Sequence, residues 1–215
     1  MKLGLLGGTF DPIHRGHLDV ARAAVAALGL DEVWLIPARQ PPHRQHPHAS
    51  APHRFAMAAL ATTDEPQLRV SDLEMERSGP SYTVDTLAAV AGVAPRDTSV
   101  FFLIGVDAFR DVPSWRAFPA VLDRAHFVVV SRPGASVADL PTRLPALAPR
   151  MIKVPAPIPP TPSIFLVEAP TSVASSTEIR ARVREGRPIA DLVSGPVAAY
   201  IAKHRLYTGL ENPTA

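Results

Sequence analysis

The sequence predicts an α/β fold, a doubly wound parallel sheet with flanking helices and a small C-terminal helical part. Three observations carry this prediction. Short, continuously apolar runs recur along the chain, as strands buried on both faces do. Segments with helical period stand between them. Most runs close on glycine or proline, where a regular element has to turn.

Leu3 to Leu6 is the first strand and ends at Gly7-Gly8. After a loop, Leu18, Ala21, Val25 and Leu28 recur on one helical face, and Gly29 stands where a helix C-terminus favours glycine. Val33 to Ile36, closed by Pro37, is a second strand. A Pro- and His-rich loop from Ala38 to Pro52 leads to a helix over about His53 to Ala61. Val84, Leu87, Ala88 and Ala91 mark the next helix, with Thr83 placed to cap it. Val100 to Ile104 and His126 to Val130 are further strands, the second closed by Arg132-Pro133-Gly134. Prolines crowd residues 133–162, which predicts an irregular surface excursion, and Ile164 to Val167 resumes the strands. Thr177 to Glu185 and Pro196 to Lys203 are the last helices, with Val197, Tyr200 and Ile201 on one face. This alternation is Rossmann-like. A chain of 215 residues is expected to form a single domain over 1–208, with helices in 177–208 and a frayed tail at 209–215.

Composition excludes several classes. Hydrophobic residues make up 47% and charged residues 20%, a globular balance that rules out wholesale disorder. The chain has no cysteine, which removes disulfides, thiolate catalysis and any cysteine-ligated metal. The net charge of +2 is spread along the chain instead of forming a basic stripe, so no nucleic-acid partner is expected. No apolar run reaches the ~20 residues of a membrane span, and Met1-Lys2-Leu3 enters a Gly-rich turn rather than a signal peptide. The expectation is a cytoplasmic protein without a membrane partner, and a homo-oligomer is left open.

The first strand runs into Gly7-Gly8-Thr9-Phe10-Asp11-Pro12-Ile13-His14-Arg15-Gly16-His17. Such a strand-to-helix turn sits at the carboxyl edge of a parallel sheet, and a helix start offers unpaired N–H groups and a positive dipole end. Phosphate suits that place, and glycines at 7 and 8 would let the backbone approach it. His14 and His17 project from the same turn and can donate hydrogen bonds. On spacing alone three readings stay open for the pair: phosphate ligands, half of a metal site, or structural histidines. The turn has neither the lysine of a P-loop nor the three glycines of a dinucleotide fold. Ser175-Ser176-Thr177-Glu178-Ile179-Arg180 repeats the logic, with hydroxyls and amides at a helix start and Arg180 one turn in.

These two stretches resemble the H-x-G-H and S-S-T-x-I-R signatures of the nucleotidyltransferase superfamily. Nearly the whole chain is similar to the bacterial nicotinate-nucleotide adenylyltransferases. Pro41-Pro42-His43-Arg44, Gly79-Pro80-Ser81-Tyr82-Thr83-Val84-Asp85-Thr86-Leu87, Gly105-Val106-Asp107-Ala108-Phe109 and Ser114-Trp115 carry that similarity. Arg44 stands where the family has lysine, and Ala174 where it has isoleucine. The resemblance implies adenylyl transfer from ATP to nicotinic acid mononucleotide, with release of pyrophosphate, in NAD biosynthesis. It implies that His14, His17 and Arg180 grip the ATP phosphates as the catalytic set. Gly8, Thr9 and Phe10 would contribute through the backbone, and Ser175, Ser176 and Thr177 would form the second phosphate cradle. Gly105 and Asp107 would hold adenine and ribose. Arg44, Ser81, Tyr82, Thr83 and Trp115 would bind the mononucleotide, Trp115 by stacking on the pyridine ring. Mg²⁺ would arrive with ATP, without a protein metal site.

Bland readings stand beside these. Trp115 is equally readable as a core residue, and Asp11 as a turn residue before Pro12. His43, His46, His48 and His53 read as a solvated loop, with a metal-binding protein as the rival. Arg182 reads as a solvated cation pointing away from Arg180. Another mononucleotide substrate, or a non-catalytic nucleotide binder on the same fold, are the competing functions.

Overall fold

The computed structural model describes residues 1–42 and 47–209. Seven strands form one parallel sheet: β1 (Lys2–Gly8), β2 (Glu32–Pro37), β3 (Leu68–Val70), β4 (Ser99–Gly105), β5 (His126–Val130), β6 (Met151–Lys153) and β7 (Ile164–Val167). Their spatial order is β3-β2-β1-β4-β5-β7-β6, every pairing is parallel, and Leu5 faces Trp34 on one side and Phe102 on the other. Among the described residues seven α-helices accompany them: α1 (Arg15–Leu28), α2 (Ala51–Ala61), α3 (Thr83–Val93), α4 (Val106–Arg110), α5 (Leu140–Arg143), α6 (Ser176–Arg184) and α7 (Gly195–Lys203).

Strand side chains alternate between two cores. Phe101 and Leu103 of β4 point to the face covered by α1, α2, α6 and α7, and Phe102 and Ile104 to the face covered by α3 and α4. Each such buried side chain contributes about 1.5–3 kcal/mol through removal from water. Gly29 ends α1 in the left-handed region at φ 61, where glycine carries no Cβ penalty. At φ 49, Phe10 adopts a left-handed backbone that disfavours a side chain, and the burial of its ring in the α1-side core holds it there.

The structure departs from the sequence expectation at several places. Thr83 is the first helical residue of α3; Tyr82 is the N-cap, and no side-chain oxygen caps this helix. His53 belongs to α2, as the helix expected over His53 to Ala61 has it, and not with the loop histidines, and its Nδ1 sits 2.9 Å from the Tyr200 hydroxyl. The Pro-rich stretch holds α5 and the edge strand β6, and it buries Leu140 and Leu147 in the second core. Arg182 is not a solvated cation, because Glu178 and Asp191 hold it at 2.6 and 2.8 Å. Among the described residues no helix is long and apolar enough to cross a membrane.

Candidate active site

The strand order reverses between β1 and β4, and a doubly wound sheet opens a crevice at the carboxyl ends of such a pair. A cleft of about 600 Å³ lies there, within the ~300–1,000 Å³ usual for small-ligand sites. Gly8, Thr9, His14 and His17 form one wall, Ser175, Ser176 and Thr177 another, and Gly105 and Asp107 a third. At its far end Ser81, Thr83 and Trp115 also line an adjoining cavity of about 350 Å³ that includes Tyr82 and Arg116. Residues from five separate parts of the sequence therefore share one continuous surface.

The two histidines are stacked, with ring centroids 3.7 Å apart. His17 Nδ1 accepts the His14 backbone N–H at 3.2 Å, which fixes its ring and leaves the ring proton to Nε2. The Phe10 and His17 rings meet edge to face, with centroids 5.0 Å apart. Burial, reinforced by the positive charge of Arg132, pulls the His14 pKa from the ordinary 6.5 to about 4, so this imidazole is neutral at pH 7. Space at the glycine between them is tight, since a Cβ on Gly16 would lie 3.2 Å from both His14 Nδ1 and the Ser172 carbonyl. At Gly8 a Cβ would meet the Phe10 ring at 2.8 Å, so this glycine is required by the turn's own packing as well as by any ligand.

The second motif docks directly onto the first. Ser175 caps α6 by accepting the Glu178 N–H, and the Ser176 hydroxyl donates to the Pro12 carbonyl at 2.9 Å. Arg180 Nη1 donates to the Asp11 carbonyl at 2.7 Å and Nη2 to Thr177 Oγ1 at 3.4 Å. Arg180 is buried and, among the described residues, stands behind the cleft wall instead of lining it. Its charge thus lies behind Thr177 and the turn.

Asp107 lines the cleft with its carboxylate between Arg110 at 3.2 Å and Arg132 at 2.6 Å. A Cβ on Gly105 would enter open space, so the end of β4 is flat toward the cleft. Trp115 is half-buried: one side meets Phe102 and Phe127 in the core, while the residue also lines both cavities. The Tyr82 ring carries the Arg116 guanidinium 4.7 Å from its centroid. Arg44, like His43 and His46, lies outside the described residues. Among those described no group of three His, Asp or Glu side chains is placed to hold a metal ion.

Two charged cleft residues escaped the sequence reading. Arg132 reads as the close of β5, yet it brings a cation to the carboxyl edge of the sheet; position at that edge was the available signal. Glu74 is a buried carboxylate that accepts from the Thr86 hydroxyl and lines the cleft; its stretch of sequence carries no periodicity to reveal it.

A family model described as cytidylyltransferase-like matches residues 5–182. The chain belongs to this family. Within it, a Roseiflexus sp. (strain RS-1) protein named "Probable nicotinate-nucleotide adenylyltransferase" is 44% identical over 95% of this chain and 97% of its own length. A Thermus thermophilus protein of the same name is 42% identical over 96% of this chain and 100% of its own. These relatives place the chain among the nicotinate-nucleotide adenylyltransferases. The fold is also that of the Plasmodium falciparum nicotinic acid mononucleotide adenylyltransferase solved with NaAD, with a TM-score of 0.75 at 20% identity over 98% of this chain and 99% of that one.

Proposed function

We propose that this family member transfers the adenylyl group of ATP to nicotinic acid mononucleotide, giving nicotinic acid adenine dinucleotide and pyrophosphate in NAD biosynthesis. The observation that carries the proposal is the single cleft: residues suited to a triphosphate and to a ribose, and an aromatic platform, line one surface. The names of the relatives agree with it.

The mononucleotide phosphate is already an anionic nucleophile near neutral pH, since a phosphate monoester has its second pKa at about 6. No general base is required. The protein has to align two anions and to stabilise charge on the transferring group and the leaving pyrophosphate. His17 serves as a donor to the phosphates, and His14 joins it as a neutral donor. Thr177, with Arg180 behind it, and the first amides of α6 receive the outer phosphates. Asp107 accepts from a ribose hydroxyl, and Arg132 beside it brings positive charge to the cleft. Mg²⁺ bound with the nucleotide would supply charge neutralisation, which fits a donor set of hydroxyls, amides and imidazoles rather than a carboxylate cage. Trp115 stacks on the pyridine ring, and the uncapped start of α3 at Thr83 receives the nicotinate carboxylate.

Coupled pyrophosphate detection with ATP and a panel of mononucleotides tests this reading. The acid mononucleotide is expected to give a higher kcat/KM than the amide, because an anion suits a helix start better than a neutral carboxamide. An equal or higher value for the amide would refute the placement of the carboxylate. No release with any mononucleotide would refute the reaction.

A further inference from the structure

Asp11 lies in the middle of the phosphate turn, is 2% exposed, and belongs to none of the roles above. A carboxylate buried so deeply has to be supplied with donors, because leaving it unpaired would cost several hydrogen bonds' worth of hydration. The donors come from remote parts of the chain. The backbone N–H groups of His48 and Ala49 donate at 2.7 and 3.0 Å, and the Tyr207 hydroxyl donates at 2.9 Å. His48 Nδ1 lies a further 3.4 Å away. These donors occupy both carboxylate oxygens. The backbone carbonyl of the same residue accepts Arg180 Nη1. Beside it the guanidinium of Arg54, 1% exposed, donates to the carbonyls of Thr9, Ala38, Ala49 and Arg39 at 2.6–3.2 Å. Burial and the adjacent Asp11 push the Tyr207 phenol well above its ordinary pKa, so it remains a donor throughout the working pH range.

One residue thus joins the segment at 48–49, the C-terminal segment at 207 and the guanidinium at 180, while sitting two positions from Thr9 in the cleft wall. We propose that Asp11 and Tyr207 are positioning residues for adenylyl transfer: the Tyr207–Asp11 hydrogen bond fixes the turn that sets Thr9 in the cleft wall and holds Arg180 behind Thr177. The inference rests on the reaction proposed above. It also assigns the C-terminal segment a function that local sequence does not suggest, since Tyr207 lies just before the stretch 209–215 that reads as a frayed tail.

The hub governs alignment rather than the number of phosphate contacts, so its loss reads out in turnover more than in affinity. Tyr207→Phe removes one hydroxyl and leaves the ring to pack. At saturating substrates and well below the Tm, kcat is expected to fall about tenfold or more while KM for ATP moves less than about threefold, because small misplacements of reacting groups cost rate steeply. Asp11→Asn is expected to lower kcat as well, and the double variant to be no slower than the slower single, since both changes break one unit. A Tyr207→Phe enzyme with kcat within about twofold of wild type, whatever its Tm, overturns the proposal, and so does a double variant whose loss is the product of the single losses. If Asp11→Asn does not fold, kcat of Tyr207→Phe decides alone. An inactive wild type would sink the reaction and this role with it, whereas an active wild type with an unimpaired Tyr207→Phe would sink only the role.

Discussion

Titrating His14 should cost the folded protein a definable part of its stability. In the fold its pKa lies at about 4, lowered first by burial and then by Arg132, against 6.5 for an ordinary histidine. Between those values the unfolded chain binds the proton more readily than the native one, so stability is lost as pH falls from 6.5 toward 4 and is fully present above that window. From pH 7 to pH 4.5 the two pKa values give a loss of about 2 kcal/mol from this one group. Burial also lowers the pKa values of His53 and His126, and carboxylates titrate nearby, so wild type alone cannot isolate the effect. His14→Gln can, because it keeps a polar group of similar size and has nothing to titrate. Urea unfolding of both proteins at the two pH values measures it. Wild type should lose about 2 kcal/mol more than the variant. Parallel losses in the two proteins would show that His14 is not held neutral by the fold, and would remove the basis for treating it as an uncharged donor in the cleft.

Two substitutions probe the same turn. His17→Ala should lower kcat by about 100-fold or more, the usual consequence of deleting one preorganised donor to transition-state charge, and a loss under about tenfold in steady-state assays would count against its role. Gly16→Ala places a methyl group 3.2 Å from His14 Nδ1 and from the Ser172 carbonyl, so the imidazole or the loop before the second motif has to shift by a few tenths of an ångström. A fall in kcat of about tenfold, with thermal unfolding within a few degrees of wild type, is the expected result, and unchanged turnover would show that the two motifs tolerate being pushed apart.

Much of this site was legible in the residues. The two motifs read as phosphate sites announce themselves through hydroxyl, imidazole and glycine spacing at strand-to-helix junctions, and the structure joins them through Ser176 to Pro12 and Arg180 to Asp11. Trp115, which the sequence left divided between a pyridine platform and a core residue, packs on Phe102 on one side and also borders the cleft. Arg180 was harder. Its motif identifies the residue, but only coordinates place the guanidinium behind the wall with its donors on Asp11 and Thr177.

Local pattern by itself determined β1, β2, β4, β5 and β7, since a strand buried on both faces has to be apolar throughout. It determined the end of α1 as well, since a left-handed cap favours glycine. The tertiary structure alone decided β3 and β6, each three residues long and too short to show a period, which are strands only because a neighbour supplies their hydrogen bonds. It alone brought Tyr207 to Asp11 and Arg132 to Asp107, and it alone lowered the His14 pKa. The physical reason is common to all of these: periodicity and turn chemistry are properties of adjacent residues, whereas burial, charge pairing and edge-strand pairing depend on segments that only the closed fold makes neighbours.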